Sequence, residues 1–361
     1  MAIRKQSDEP VSAQKISLRR KILYTLPILC VALLVAEIAV RPFVPLDIVG
    51  PSAVRFDPYY GKHLKENYSG TLTARGNSYR ITTNSRGFRG PEYIPSEYGS
   101  LLCFGDSFGM GSTVDDGEEF AAILNARFSD VFGEGIIPVV NTSVAGNGQG
   151  RWLKFLRRDA EQYNPRYVVM QLCNNDFCDN HAERLFKIGE DNELVELPIR
   201  SPSIYRRTQE IVESVPLLPY SRLYSVFKQA VKHTLTNEGT ERAEREEDCA
   251  SYYESETGPF DDFTVRLLEE CLMLCAENGW PVVAVTANIP MGSRLDRLLE
   301  LFERFDATLI HIPTIGDRPE LFNTGGDTHW NAVGHLYVAD RIFDHLIQDA
   351  AFVPVPTISG R

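Results

Sequence analysis

Two patterns of apolar and polar positions divide the chain. Residues 22–40, ILYTLPILCVALLVAEIAV, are apolar almost throughout, broken by Thr25, Pro27 and Glu37. At about 1.5 Å per residue, nineteen helical residues reach about 28 Å, the depth of a bilayer's hydrocarbon core. From residue 100 onward, short apolar runs alternate with stretches of helical periodicity. LLCF (101–104), IIPVVN (136–141), YVVMQLC (167–173), WPVVAVTANI (280–289) and ATLIHI (307–312) read as strands. Helices are expected near 118–128, 151–163, 263–277, 293–305 and 331–348. Nearly continuous apolar strands separated by helices predict an α/β fold whose parallel sheet is covered on both faces.

Between these two regions, Pro42, Pro45, Pro51 and Pro58 with Gly50 predict an extended stalk over 41–60. Residues 61–96 mix short alternating runs with Gly and Asn turns and read as a small β-rich preface. The main domain is expected over 97–350. An insertion at about 180–260 interrupts its alternation and contains the charged run EGTERAEREED (238–248), read as a solvated helical face or a mobile loop.

Charge sharpens the picture. The 361 residues carry a net charge of −12, yet residues 1–21 hold six basic groups against Asp8 and Glu9, which leaves −16 for the rest. The basic block at 19–21 predicts a cytoplasmic tail over 1–21 and a single-span anchor over 22–40, with the remainder on the outer side of the membrane. A cleaved signal peptide fits less well: cutting after Ala39 or Ala36 puts Glu37 or Leu34 where a small residue is needed. The acidic balance argues against a nucleic-acid partner. The seven cysteines contain no C-x-x-C pair, so neither a zinc ribbon nor a thioredoxin-type redox site is expected.

In parallel sheets of this kind, functional residues follow the carboxyl ends of strands. Those positions hold Gly105-Asp106-Ser107-Phe108, then Asn141 to Gly148, then Asn174-Asn175-Asp176, and finally Asp327-Thr328-His329-Trp330-Asn331. Serine becomes a nucleophile only when a base removes its proton. Ser107 is the candidate, His329 its base, and Asp327 the group that holds the imidazole. The backbone N–H groups of Ser107 and Gly146 and the side-chain amide of Asn175 are available donors for a developing oxyanion. Taken singly, each block also reads as a turn or a helix cap; Asn331 is expected to cap the last helix. Asp176, Cys178, Asp179 and His181 could be read as a metal site, but turn chemistry after a strand explains them as well, so no metal or other cofactor is expected.

GDSF (105–108), NTSVAGNG (141–148), NND (174–176) and DTHWN (327–331) together resemble the four ordered blocks of the SGNH, or GDSL-like, hydrolases. NSRGFRGPE (84–92) resembles the preface of membrane-anchored bacterial members. The resemblance implies a flavodoxin-like three-layer α/β/α sandwich and a single-pass protein of the bacterial inner membrane with a periplasmic or extracellular catalytic domain. It also implies Ser107 as nucleophile, His329 and Asp327 behind it, an oxyanion hole of Ser107, Gly146 and Asn175, and supporting roles for Asp106 and Asp176. Two positions depart from the usual pattern. Cys173 stands where a glycine commonly precedes the third-block Asn, and Asp327 lies two residues before His329 rather than three. The D-x-H-W form is similar to the branch containing alginate-type O-acetyltransferases. Three functions are compatible with this: an esterase acting on acyl esters, acetyl above all, of envelope glycans or lipids; an O-acyltransferase supplied by a multi-span acyl-donor partner; or a non-catalytic glycan-binding protein.

Overall fold

The computed structural model describes residues 17–44, 50–74, 76–199, 211–235, 259–350 and 352–354. The charged run 238–248 and most of the expected cytoplasmic tail lie outside these. An apolar helix spans Leu18–Val40, taking in the basic block at 19–21, and its large apolar side chains from Leu23 to Ile38 are exposed. It is long and apolar enough to cross a membrane, and it lies near the N-terminus.

Part of the expected stalk is folded. Strand β1 (Val54–Asp57) pairs antiparallel with β2 (Gly61–Leu64), and β3 (Ser69–Ala74) pairs with β4 (Asn77–Thr82). The first turn closes because Asp57 Oδ1 accepts from the N–H groups of Tyr59 and Tyr60, both at 2.8 Å. Tyr60 is then buried against Phe155, ring centroids 5.9 Å apart. The prolines at 51 and 58 therefore bracket a strand that packs on the main domain rather than marking one continuous linker.

The central sheet contains β5 (Ser100–Phe104), β6 (Val139–Asn141), β7 (Pro165–Cys173), β10 (Val282–Ala287) and β11 (Thr308–Ile310). Its order is β11-β10-β7-β5-β6, with every pairing parallel. A small antiparallel pair, β8 (Phe186–Ile188) and β9 (Leu194–Glu196), lies between β7 and β10 in the chain.

Period-two alternation sends Leu102, Phe104, Val168, Met170 and Leu172 to one face, where they meet the helices Gln149–Arg158, Pro259–Glu277 and Ser293–Arg304. Leu101, Cys103, Val169, Val283 and Val285 meet the helices Phe120–Phe132 and Ala332–Gln348 on the other. The result is the expected doubly wound three-layer sandwich. After β6 is added on one side of β5, the next strand, β7, is added on the other, so the order of strand addition reverses between β5 and β7 and the crevice at their carboxyl ends is where a ligand site belongs.

Candidate active site

The Gly-Asp-Ser-Phe turn leaves β5 and enters a single helical turn, Ser107–Met110. Asp106, fully buried, caps it by accepting from Phe108 N at 2.9 Å. Gln171 reaches over from β7, its Oε1 accepting from Asp106 N at 3.1 Å and Gly109 N at 2.8 Å. That approach explains two glycines. A Cβ at Gly105 would lie 2.6 Å from Gln171 Oε1, and one at Gly109 would lie 2.5 Å from Ser143 Oγ.

The loop after β6 runs alongside this turn, joined by Val144 N donating to Gly105 O at 3.3 Å. Gly146 within it has φ +66°, a left-handed conformation that glycine adopts at little cost. Among the described residues, the N–H groups of Ser107 and Gly146 donate to no protein acceptor.

Between β11 and the last helix, residues 327–331 bring the remaining groups. His329 Nε2 lies 2.9 Å from Ser107 Oγ, and Nδ1 lies 2.7 Å from Asp327 Oδ1. A carboxylate only accepts, so the proton sits on Nδ1 and leaves Nε2 to accept from the serine hydroxyl. Ser107 Oγ also lies 3.3 Å from Asp106 Oδ2; with one proton and two acceptors, the shorter contact to His329 is favoured. Phe108 packs against the His329 ring, centroids 4.9 Å apart, and Trp330 packs against Phe108 at the same distance. Asn331 caps the final helix as expected, its Oδ1 accepting from Gly334 N at 3.0 Å.

Asp327 is buried. Burial opposes its charge, but hydrogen bonds from the His329 ring and backbone and from Asn77 outweigh this and hold its carboxyl below the usual carboxylate range. Asn77 Nδ2 donates to Asp327 Oδ2 at 3.2 Å and Asn323 Nδ2 at 3.3 Å. Asp176 is also buried, accepting from Cys173 N at 2.8 Å and Gln149 Nε2 at 2.7 Å. Burial, then the nearby Asp106 charge, pushes its carboxyl well above the usual range. Asn175 Nδ2 donates to Asp179 Oδ2 at 2.7 Å and to Asp106 Oδ2 at 3.3 Å. Burial, followed by the Glu183 charge, pushes Asp179 up to about 6.

Three residues that local sequence patterns do not single out reach the site from the preface. Asn77 on β4 lies 250 positions from its partner Asp327. Lys62 on β2 donates to the carbonyls of Ala145 and Gly146, the latter at 2.9 Å. Arg89 is fully buried. It donates to the carbonyls of Met110, Gly111, Arg80 and Val114 and to Asp116, which uses all of its N–H groups. The motif at 84–92 contains Arg89, but its five acceptors come from elsewhere in the chain.

A cleft of about 400 Å³ is lined by Phe108 and Thr328, the chain neighbours of Ser107 and His329, together with Cys173, Asn174, Asn175, Asn288, Pro290, Thr314 and Ile315. It mixes apolar and amide walls. Its Asn288 is held in a left-handed conformation at φ +51°, with Nδ2 donating to Thr328 O at 3.0 Å. The constellation can pass a proton from hydroxyl to imidazole beside unpaired backbone donors.

No curated protein matches the chain. Among solved structures, it is similar to the psychrotrophic esterase EstA from Pseudoalteromonas sp., at 14% identity over 69% of this chain and 97% of that one, TM-score 0.39. It is also similar to Axe2, an acetylxylan esterase from Geobacillus stearothermophilus, at 12% identity over 73% and 100%, TM-score 0.39. Likenesses at that level carry no argument about activity or substrate. The model of the GDSL-like lipase/acylhydrolase family matches residues 101–342, a span holding all four rim blocks, and the chain belongs to that family.

Proposed function

We propose that this protein is a serine esterase, anchored in the bacterial inner membrane by residues 22–40, that removes acyl groups, chiefly acetyl, from envelope glycans or lipids on the periplasmic or extracellular side. The hydrogen-bonded series Asp327–His329–Ser107 at the sheet's carboxyl rim carries the reading. Ser107 Oγ attacks the ester carbonyl carbon as its proton passes to His329 Nε2, and Asp327 stabilises the imidazolium. The carbonyl oxygen takes up the negative charge opposite the N–H groups of Ser107 and Gly146. Asn175 supplies a third donor by turning the hydrogen that now makes the long contact to Asp106. His329 then returns its proton to the departing alkoxide, leaving a Ser107 ester. Water, deprotonated by His329, attacks that ester; the acid is released and the proton returns to Ser107.

The cleft's volume suits a short acyl group and part of a polar alcohol, and Asn174, Asn175 and Asn288 give part of its wall polar character. The disulfide at Cys178 favours an oxidising compartment, as the basic flank of the apolar helix does for its orientation. The test uses the full chain in detergent beside Ser107→Ala, with p-nitrophenyl acetate and butyrate as substrates and fluorophosphonate as a covalent label. Turnover and labelling that disappear together in Ser107→Ala are expected. Turnover that survives the substitution would exclude the serine acyl-enzyme.

A further inference from the structure

Glu37 is the one charged residue within the apolar stretch 22–40, and it is not left alone. Its carboxylate accepts from Ser221 Oγ at 2.8 Å, Leu223 N at 3.0 Å and Arg222 N at 3.1 Å. The helix Arg222–Leu235 therefore begins on Glu37, which neutralises the orphan N–H groups of its first turn. The Arg222 guanidinium also donates to Arg41 O, just past the end of the apolar helix. Glu37 lies only one turn before that end at Val40, so these contacts hold the start of the second helix at the depth where a bilayer meets water.

The segment ahead of that helix exposes apolar side chains. Leu217 is 81% exposed and held at φ +68°, a conformation that disfavours leucine and persists only where its surroundings impose it. Phe227 on the helix is 64% exposed, and Phe43, just beyond the apolar helix, 84%. Ile211 and Tyr220 are also exposed. Charge runs the same way. Residues 211–235 hold three basic groups, Arg222, Lys228 and Lys232, against Glu213, in a remainder, residues 22–361, whose overall charge is −16. The Glu213 side chain is itself buried, facing Lys65 and Lys228 at 3.5 Å each and accepting from Ser52 N at 3.2 Å.

We propose that residues 211–235 form a membrane-surface element that lies on the anionic lipid of the bilayer crossed by residues 22–40, with Leu217, Tyr220 and Phe227 in the interfacial zone. The proposal rests on the reading of residues 22–40 as an anchor. Apolar side chains beside a basic, otherwise acid-poor stretch are the chemistry of an interfacial helix. The Glu37 contacts fix that helix at the required height. Through Glu213, Ser52 and Lys65 the same segment is tied to the β1–β2 hairpin, so the catalytic rim is held at a set orientation to the membrane rather than swinging on a stalk.

The full chain is reconstituted into vesicles of phosphatidylcholine and phosphatidylglycerol, in a Cys30→Ala background. One cysteine is added in place of Leu217, Phe227 or, as a control on an outer helix of the sheet domain, Leu299; the native Cys103, Cys173, Cys271 and Cys275 are buried, and the Cys30→Ala parent, put through the same labelling, sets the background. Each carries a nitrobenzoxadiazole label, and lipids bearing a nitroxide near the headgroup serve as quenchers. Labels at 217 and 227 should be quenched at least about twofold more than at 299, with blue-shifted emission. Equal quenching at all three positions in protein that resists an alkaline carbonate wash would overturn the surface element and leave the anchor standing. Protein removed by the wash would overturn the anchor and this proposal with it.

Discussion

The sheet domain and the hairpins that precede it build the same site in different ways. The sheet domain supplies the groups proposed to react from short blocks at strand ends: Ser107 after β5, Gly146 after β6, Asn175 after β7, and Asp327 with His329 before the last helix. Among the described residues, the preface supplies no hydrogen-bond partner of the Ser107 hydroxyl. Lys62 instead holds the carbonyls of the Gly146 loop, Arg89 the carbonyls that end the Ser107 turn, and Asn77 the outer oxygen of Asp327. The proposed chemistry and its positioning are thus divided between two regions, and a fragment starting at residue 97 would keep every group proposed to react while losing all three braces.

Substitution separates the two roles. Asp327→Asn should lower kcat/KM for p-nitrophenyl acetate by about 10⁴ with little change in melting temperature, because the imidazole loses its tautomer and its counter-charge. A loss under tenfold would remove Asp327 from the mechanism. Arg89→Met should act in the opposite way. It strands four carbonyls and the Asp116 and Glu119 carboxylates, costing about 3–5 kcal/mol, or about 10 °C in thermal unfolding. A melting curve that superimposes on the parent would show that the brace is dispensable.

Asn77→Ala falls between these. Asp327 keeps its bonds to His329 and Asn323, so a loss of about tenfold in kcat with KM nearly unchanged is expected. A change confined to KM would place Asn77 against substrate instead.

The smallest effect is a pH dependence at the rim. Asp179 is held near 6 in the folded protein, above its unfolded value, so between about pH 4 and 6 the native state binds the extra proton. Its contribution to stability is therefore present below that window and lost as pH rises through it. Asp179→Asn keeps an acceptor for Asn175 without the charge. Its melting temperature relative to the parent should rise by a few degrees between pH 4 and pH 8. A difference that is flat across that range would remove Asp179 from the pH response.

How much of this is legible in the chain differs by region. The strand and helix alternation after residue 100 is written in periods of two and 3.6, which depend on neighbours a few positions apart, and all five core strands appear near their expected places. The expected stalk gives way to folded structure at residue 54, because prolines mark breaks but do not say what lies between them; the packing of Tyr60 on Phe155 decides that 54–64 belongs to the domain. Asn175 is recognisable as a donor from its block, yet its acceptors, Asp179 and Asp106, depend on how the helix after β7 sits beside the serine turn.

The sequence by itself determined the alternation that makes a parallel sheet, the order of the rim blocks, the belt of apolar residues near the N-terminus and the charge asymmetry across it. Each depends on residue type and short spacing, which local backbone geometry converts directly into structure. The tertiary structure alone decided that His329 meets Ser107, that Asn77, Lys62 and Arg89 brace blocks far along the chain, and that Glu37 receives the start of a distant helix. Those contacts join residues up to 250 positions apart, and only the packed layers bring such partners within hydrogen-bonding distance.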